Sequence, residues 1–206
     1  MKENQEIPKK GFSRRAFLKG AGLTTAGTVM LQTGVFAKGP VTIQKSKTVG
    51  PGEVNIQMHI NGKIRNLSIE PRTTLAGALR EHLQLTGTKI VCDRGSCSAC
   101  TVWVDNKPVN ACMTFAMDVG KRKVTTIEGL AKNGNLHPIQ EAFIQHDASQ
   151  CGYCTSGMIM STANLLDENP NPTLEDVKHA TRGNYCRCGT YPHVFKATLA
   201  AAKKIN

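Results

Sequence analysis

Regular patterning along the chain sets in at Val54. Val54, Ile56, Met58 and Ile60 alternate with polar residues, the period of a half-buried strand. Asn61-Gly62 follows, a dipeptide suited to a two-residue hairpin turn, and Ile64, Leu67 and Ile69 predict the return strand. Thr73 or Thr74 then caps a helix in which Leu75, Leu79 and Leu83 recur every four residues. A cysteine-bearing loop runs from Cys92 to Cys100. Beyond it the pattern predicts a strand at Thr101–Val104, a turn at Asp105-Asn106-Lys107-Pro108, a strand at Val109–Cys112 and a last one at Val124–Ile127.

The period then changes to that of helices. Pro138 suits the first turn of a helix running to about Asp147. Gly157–Leu166 reads as a second helix, with Cys154 at its start, that ends at Asn169-Pro170-Asn171-Pro172. Thr173-Leu174-Glu175-Asp176 opens a third in the manner of a capping box, and Val194–Lys204 is an alanine-rich fourth. The chain is thus an α+β protein. A small sheet-plus-helix domain occupies residues 53–129, and an all-α domain of four helices occupies 130–206, after a short connector near Gly129–Leu136.

The first 52 residues follow different rules. Ser13-Arg14-Arg15-Ala16-Phe17-Leu18-Lys19 matches a twin-arginine export signal, and a weakly apolar stretch from Gly20 to Ala37 follows it. That stretch is too short and too polar to span a membrane comfortably. Val35-Phe36-Ala37 suits cleavage after Ala37. Residues 1–37 therefore read as a twin-arginine signal peptide, with an amphipathic N-terminal helix as the plainer alternative. The expected destination is the periplasm, reached in the folded state. Residues 38–52 carry prolines, glycines and lysines without apolar periodicity and read as a flexible tether.

Composition alters this picture in two places. Aromatic residues make up only 5% of the chain, so each small domain has a thin core and gains from bound metal. The net charge of +11 suggests nucleic acid, but residues 1–37 hold six basic and two acidic side chains of that total. Metal-bound thiolates at the eight cysteines would remove about four more charges, leaving about +3, so no nucleic-acid partner is expected.

The eight cysteines carry the chemistry. Cys92-x4-Cys97-x2-Cys100 with a distant Cys112 has the spacing of plant-type ferredoxins, which wrap a 2Fe-2S cluster. Cys151-x2-Cys154 and Cys186-x-Cys188 supply four more thiolates, the ligand count of a second cluster. Thiolates are soft ligands suited to such clusters, and Gly95, Ser96, Ser98 and Ala99 let main-chain amides approach the first one. The start of a helix favours thiolate at Cys151 and Cys154, while Gly183 and Gly189 permit tight turns around the last pair. Three alternatives remain: four disulfides, two zinc sites, or a redox-active Cys151-Gly152-Tyr153-Cys154 pair. Tight clustering argues against the first, the position of Cys112 against the second, and the lack of a preceding βαβ pattern against the third. His59, His82, His137, His146, His179 and His193 share no spacing with the cysteines and read as surface or capping residues. Trp103 reads as strand packing.

Three segments carry a wider resemblance: Cys92-Asp93-Arg94-Gly95-Ser96-Cys97-Ser98-Ala99-Cys100, Gln150-Cys151-Gly152-Tyr153-Cys154-Thr155-Ser156-Gly157-Met158, and Gly183-Asn184-Tyr185-Cys186-Arg187-Cys188-Gly189-Thr190-Tyr191. They resemble the iron–sulfur subunit of the molybdenum hydroxylase (xanthine oxidase) family. With the leader, the likeness is to a periplasmic aldehyde oxidoreductase iron–sulfur subunit.

The resemblance implies a β-grasp ferredoxin domain followed by a four-helix domain, each with one 2Fe-2S cluster. It implies a large partner subunit that holds a molybdenum–pterin cofactor, an FAD-binding subunit completing a heterotrimer, and use of the twin-arginine export machinery. Gln150 would hydrogen-bond the pterin, and Cys188 would be the ligand nearest to it. The subunit would not be catalytic alone. It would pass electrons from molybdenum through the second quartet and then the first to flavin or another acceptor, while the complex oxidises aldehydes to carboxylic acids. Another molybdenum hydroxylase, acting on purines or N-heterocycles, is the alternative. The family often has proline at the position of Ser156, and a more glycine-rich first loop.

Overall fold

The structure is a computed structural model that describes residues 49–205 and, apart from them, Arg15. The leader expected over 1–37, Arg15 excepted, and the tether up to residue 48 lie outside the described residues.

Two strands form as their alternation requires. β1 (Val54–Ile60) pairs antiparallel with β2 (Lys63–Ile69), placing Val54 opposite Ile69 and Ile60 opposite Lys63. Asn61 and Gly62 join them with φ of 51° and 76°, the double left-handed turn that matches strand twist. Met58, Ile60, Leu67 and Ile69 share the buried face. The Thr74 hydroxyl accepts the amide of Gly77 at 3.2 Å and starts α1 (Leu75–Gly77). The helix then widens into a π-helical turn over Ala78–His82, with the Leu83 amide bonded to the Ala78 carbonyl. Leu75 and Leu79 are fully buried, as their spacing predicts.

The rest of the sheet is β3 (Thr101–Val104), β4 (Lys107–Asn110) and β5 (Lys123–Thr125). Its order is β2-β1-β5-β3-β4, with only β1 and β5 parallel. The sheet has five strands, one for each stretch in which the sequence pattern predicts a strand. Pro108 stands inside β4 opposite Trp103, not in the turn, because β4 is an edge strand where a missing N–H is tolerated. Cys112 is not on a strand. It lies in a 3-10 turn, Ala111–Met113, that follows β4. A short helix, α2 (Ala116–Val119), had no clear sequence signal, and Ile127 belongs to a 3-10 turn beyond β5.

Four helices follow. α3 (Pro138–Gln145) is capped by His137: its Nδ1 accepts the Ile139 amide at 3.3 Å, and Gln140 Oε1 accepts the His137 amide at 2.9 Å. α4 (Thr155–Glu168) stops before the Pro170-Asn171-Pro172 run. α5 (Leu174–Thr181) opens with Thr173 and Asp176 bonding each other's amides at 3.2 and 2.8 Å. α6 (Tyr191–Ile205) begins three residues earlier than expected, with Pro192 in its first turn.

Two cores result. One lies under the sheet and α1. The other is formed by the helices and includes Trp103, so this strand residue packs into the helical half. Residues 49–205 form one compact body.

Candidate metal centres

The loop before β3 turns so that its amides face its thiols. Asp93, Gly95 and Ser98 adopt φ of 53°, 71° and 51°. This directs the Arg94 and Ser96 amides at Cys92 Sγ, at 3.5 and 3.3 Å, and the Gly95 amide at Cys112 Sγ, at 3.3 Å. Gly95 is needed for space as well as for φ: a Cβ there would meet Met113 Cγ at 2.9 Å. Asn110 Nδ2 pins the loop through the Gly95 carbonyl at 3.2 Å. The 3-10 turn brings Cys112 to Cys100, with the Ala111 amide on the Cys100 carbonyl at 3.3 Å.

The first four thiols form two linked pairs. Cys92 interacts with Cys97, and Cys100 with Cys112, while Cys100 also feels the charge of Cys97. The Arg94 amide holds Cys92 down at about 7 against its burial, helped by Cys97 and the Ser96 amide. Burial raises Cys97 and pushes Cys100 up to about 12.

The second quartet draws on two helix starts. Cys154 is the residue before α4, with Cys151 upstream across Gly152, whose φ is 85°. Cys186 and Cys188 lie ahead of α6. Cys154 interacts with Cys186, and Cys151 with Cys188. Burial pushes Cys154 up to about 12. Burial acts the same way on Cys186, but hydrogen bonds from Thr190, together with those from Cys154 and the Cys188 amide, outweigh it and hold that thiol at about 7. The Cys188 thiol is raised: the Cys151 amide lowers it, but the Cys151 thiol, desolvation and the Cys186 charge together outweigh that amide. Cys154 and Cys186 are buried, whereas Cys151 and Cys188 are exposed, with Gln150 exposed beside them. Gly189 has the expected positive φ, 75°. Gly183 serves instead for close approach, since a Cβ there would lie 3.2 Å from Ser98 Oγ.

The two quartets are held against each other. The Tyr185 amide donates to the Cys97 carbonyl at 3.1 Å, and Asn184 Nδ2 donates to the Ser98 carbonyl at 3.2 Å. At Gly157, a Cβ would stand 2.2 Å from the Ser98 carbonyl oxygen. Asn184, Thr190 and Tyr191 lie in the third segment of the resemblance, but the sequence alone gives them no individual role. The signal available was Thr190-Tyr191-Pro192, a capping residue with proline in the first turn, which marks where α6 starts.

The residues fit 2Fe-2S clusters. No cysteine forms a disulfide. Among the described residues no three Cys, His, Asp or Glu side chains are grouped as for a single metal ion. Each quartet instead offers two pairs of soft donors, a set suited to two adjacent irons, and amides already face the sulfurs. No histidine joins either quartet: His137 caps α3, and His193 Nδ1 contacts the His146 carbonyl at 2.9 Å.

Fold and thiols together define an iron–sulfur protein with two binding domains. Residues 58–126 match the 2Fe-2S iron-sulfur cluster binding domain, and residues 126–199 match the [2Fe-2S] binding domain. The chain is 39% identical to the aldehyde oxidoreductase iron-sulfur-binding subunit PaoA of Escherichia coli O157:H7, over 94% of this chain and 90% of that one. It is 43% identical to the nicotine 6-hydroxylase small subunit of Paenarthrobacter nicotinovorans, over 74% of this chain and 92% of that one. Among solved structures, quinoline 2-oxidoreductase from Pseudomonas putida 86 superposes with a TM-score of 0.71 at 40% identity, covering 73% of this chain and 94% of the matched one. The chain belongs to the iron–sulfur subunits of the molybdenum hydroxylase family.

Proposed function

We propose that this chain is the electron-transfer subunit of a molybdenum-containing aldehyde oxidoreductase. Cys92, Cys97, Cys100 and Cys112 hold one 2Fe-2S cluster in a β-grasp domain over 53–129. Cys151, Cys154, Cys186 and Cys188 hold the other in a helical domain over 130–206. Each cluster, when bound, takes up and gives back one electron. The chain's own part is to fix the thiolates, supply amides to their sulfurs and keep the two sites adjacent.

One observation carries the reading: the second quartet opens outward. Cys151, Cys188 and Gln150 are exposed, and Tyr153 and Tyr185 expose 62% and 70% of their surface. Aromatic residues around an exposed redox site suit a partner interface. This supports a large subunit whose molybdenum–pterin cofactor meets Gln150 and Cys188 there. Val91, Met113 and Phe115 are exposed within three residues of Cys92 or Cys112 and support a second partner, an FAD-binding subunit, near the first quartet.

An aldehyde is favoured over a purine or N-heterocycle by the reach of the similarity. The likeness to the aldehyde oxidoreductase subunit covers 94% of the chain and so extends into the N-terminal residues, whereas that to the nicotine hydroxylase subunit covers 74%. The Ser13-Arg14-Arg15 leader supports folded export to the periplasm by the twin-arginine machinery.

The test is low-temperature electron paramagnetic resonance on the dithionite-reduced, co-purified complex, with iron, molybdenum and flavin quantified on the same sample. Two distinct 2Fe-2S signals with molybdenum, and turnover of aldehydes but not N-heterocycles, are expected. A single signal, or zinc in place of iron, refutes the assignment of one quartet.

A further inference from the structure

The hydrogen-bond donors to the cysteine sulfurs differ between the quartets. In the first they are main-chain amides, those of Arg94, Gly95 and Ser96. In the second, Cys186 Sγ has a hydroxyl beside it. Thr190 Oγ1 lies 3.1 Å from that sulfur, and the Thr190 amide lies 3.5 Å from it. Among the described residues, no other side-chain hydroxyl makes such a contact with a cysteine sulfur.

Thr190 stands just before α6, and its carbonyl accepts the amides of His193 and Val194, both at 3.0 Å. A threonine in that place ordinarily turns its hydroxyl to a free amide of the first turn. Here the hydroxyl faces sulfur instead. Thr190 is 1% exposed, so water does not compete for the contact. The main chain at Cys186 is fixed as well. Its amide donates to the Tyr191 hydroxyl at 2.8 Å, which donates in turn to the Asn184 carbonyl at 3.1 Å. A thiolate bound to iron has no proton to give, so the Thr190 hydroxyl is the donor and the sulfur the acceptor.

We propose that Thr190 is a tuning residue, raising the reduction potential of the second cluster through its O–H···Sγ bond to Cys186. This rests on the reading that Cys151, Cys154, Cys186 and Cys188 hold a 2Fe-2S cluster. Reduction adds one electron, here from dithionite, and makes the cluster and its sulfurs more negative. Thr190 keeps its proton, and its bond strengthens with the charge it faces. Hydrogen bonds to cluster sulfurs favour the reduced form for this reason.

The experiment is a redox titration of the co-purified complex, followed by electron paramagnetic resonance, on wild type, Thr190→Val and Thr190→Ser. Valine keeps the shape and removes the hydroxyl, and serine restores the donor. The midpoint of the second cluster's signal should move to a more negative potential in T190V and return towards wild type in T190S, with the first cluster's midpoint fixed throughout. An unshifted second midpoint in a fully loaded T190V protein overturns the proposal. If T190V does not take up the second cluster, Thr190→Ala is read in the same way. Loss of loading in both makes the residue structural and overturns the tuning role. Absence of the second signal in wild type would instead refute the assignment of the quartet.

Discussion

Trp103 Nε1 donates a 2.9 Å hydrogen bond to the main-chain carbonyl of Met160. The donor stands on a strand of the sheet and the acceptor lies inside α4, with both residues buried. The two halves of the molecule therefore share a polar tie as well as apolar contact. Trp103→Phe removes the donor and should cost about 1–3 kcal/mol. A melt followed by circular dichroism and by cluster absorbance together should show one transition at a lower temperature. Two separated transitions would mean that the halves unfold independently.

Gly157 marks the tightest approach between the quartets. A Cβ there would lie 2.2 Å from the Ser98 carbonyl oxygen and 3.0 Å from Ala99 Cα, both main-chain atoms. Gly157→Ala must therefore push the two loops apart, at a cost of about 1–3 kcal/mol. The expected outcome is a lower melting temperature with faster hydrogen exchange at the Tyr185 amide, which now bonds the Cys97 carbonyl. Unchanged exchange at that amide would contradict the geometry.

Cys151→Ser separates the roles of the two quartets. It should abolish turnover of the complex and the second cluster's paramagnetic signal while leaving the first signal in place. Full activity in this variant would sink the electron route.

Removing the iron exposes thiols of very different acidity. Cys92 is held at about 7 and Cys100 at about 12, against an ordinary value of 9.0. The lowered group favours the folded apo chain above pH 9, and that contribution is lost as pH falls through about 7. The raised group favours the folded chain below pH 9 and ceases to as pH rises through about 12. Iodoacetamide at about pH 7.5 reacts with thiolate and should label Cys92 well before Cys100, as read by peptide mass spectrometry. Equal labelling would contradict the assigned environments.

Much of this architecture is legible in local sequence. Asn61-Gly62 marks its hairpin, and Thr173 with Asp176 marks a helix start, because each signal acts over a few residues. The close groups Cys92-Cys97-Cys100, Cys151-Cys154 and Cys186-Cys188 stand out for the same reason. What escaped depends on distant partners. Pro108 reads as a turn residue until β4 is known to be the sheet's edge. Cys112 continues a strand-like run, but closing on Cys100 requires a 3-10 turn. Trp103 reads as strand packing, and only the position of α4 shows that it faces the helices. Thr190 looks like an ordinary cap until the sulfur beside it is located.

The parallel pairing of β1 with β5, His59 opposite Lys123 and Ile60 opposite Val124, has a consequence for biosynthesis. Parallel neighbours cannot be joined by a tight turn, and such distant pairings close slowly. The cysteines at 92, 97, 100 and 112 all leave the ribosome before β5 does, yet β3 and β1 are joined only through that last strand. Cys100 and Cys112, which share a buried cluster with Val124, are thus synthesised before the strand that completes the core around them.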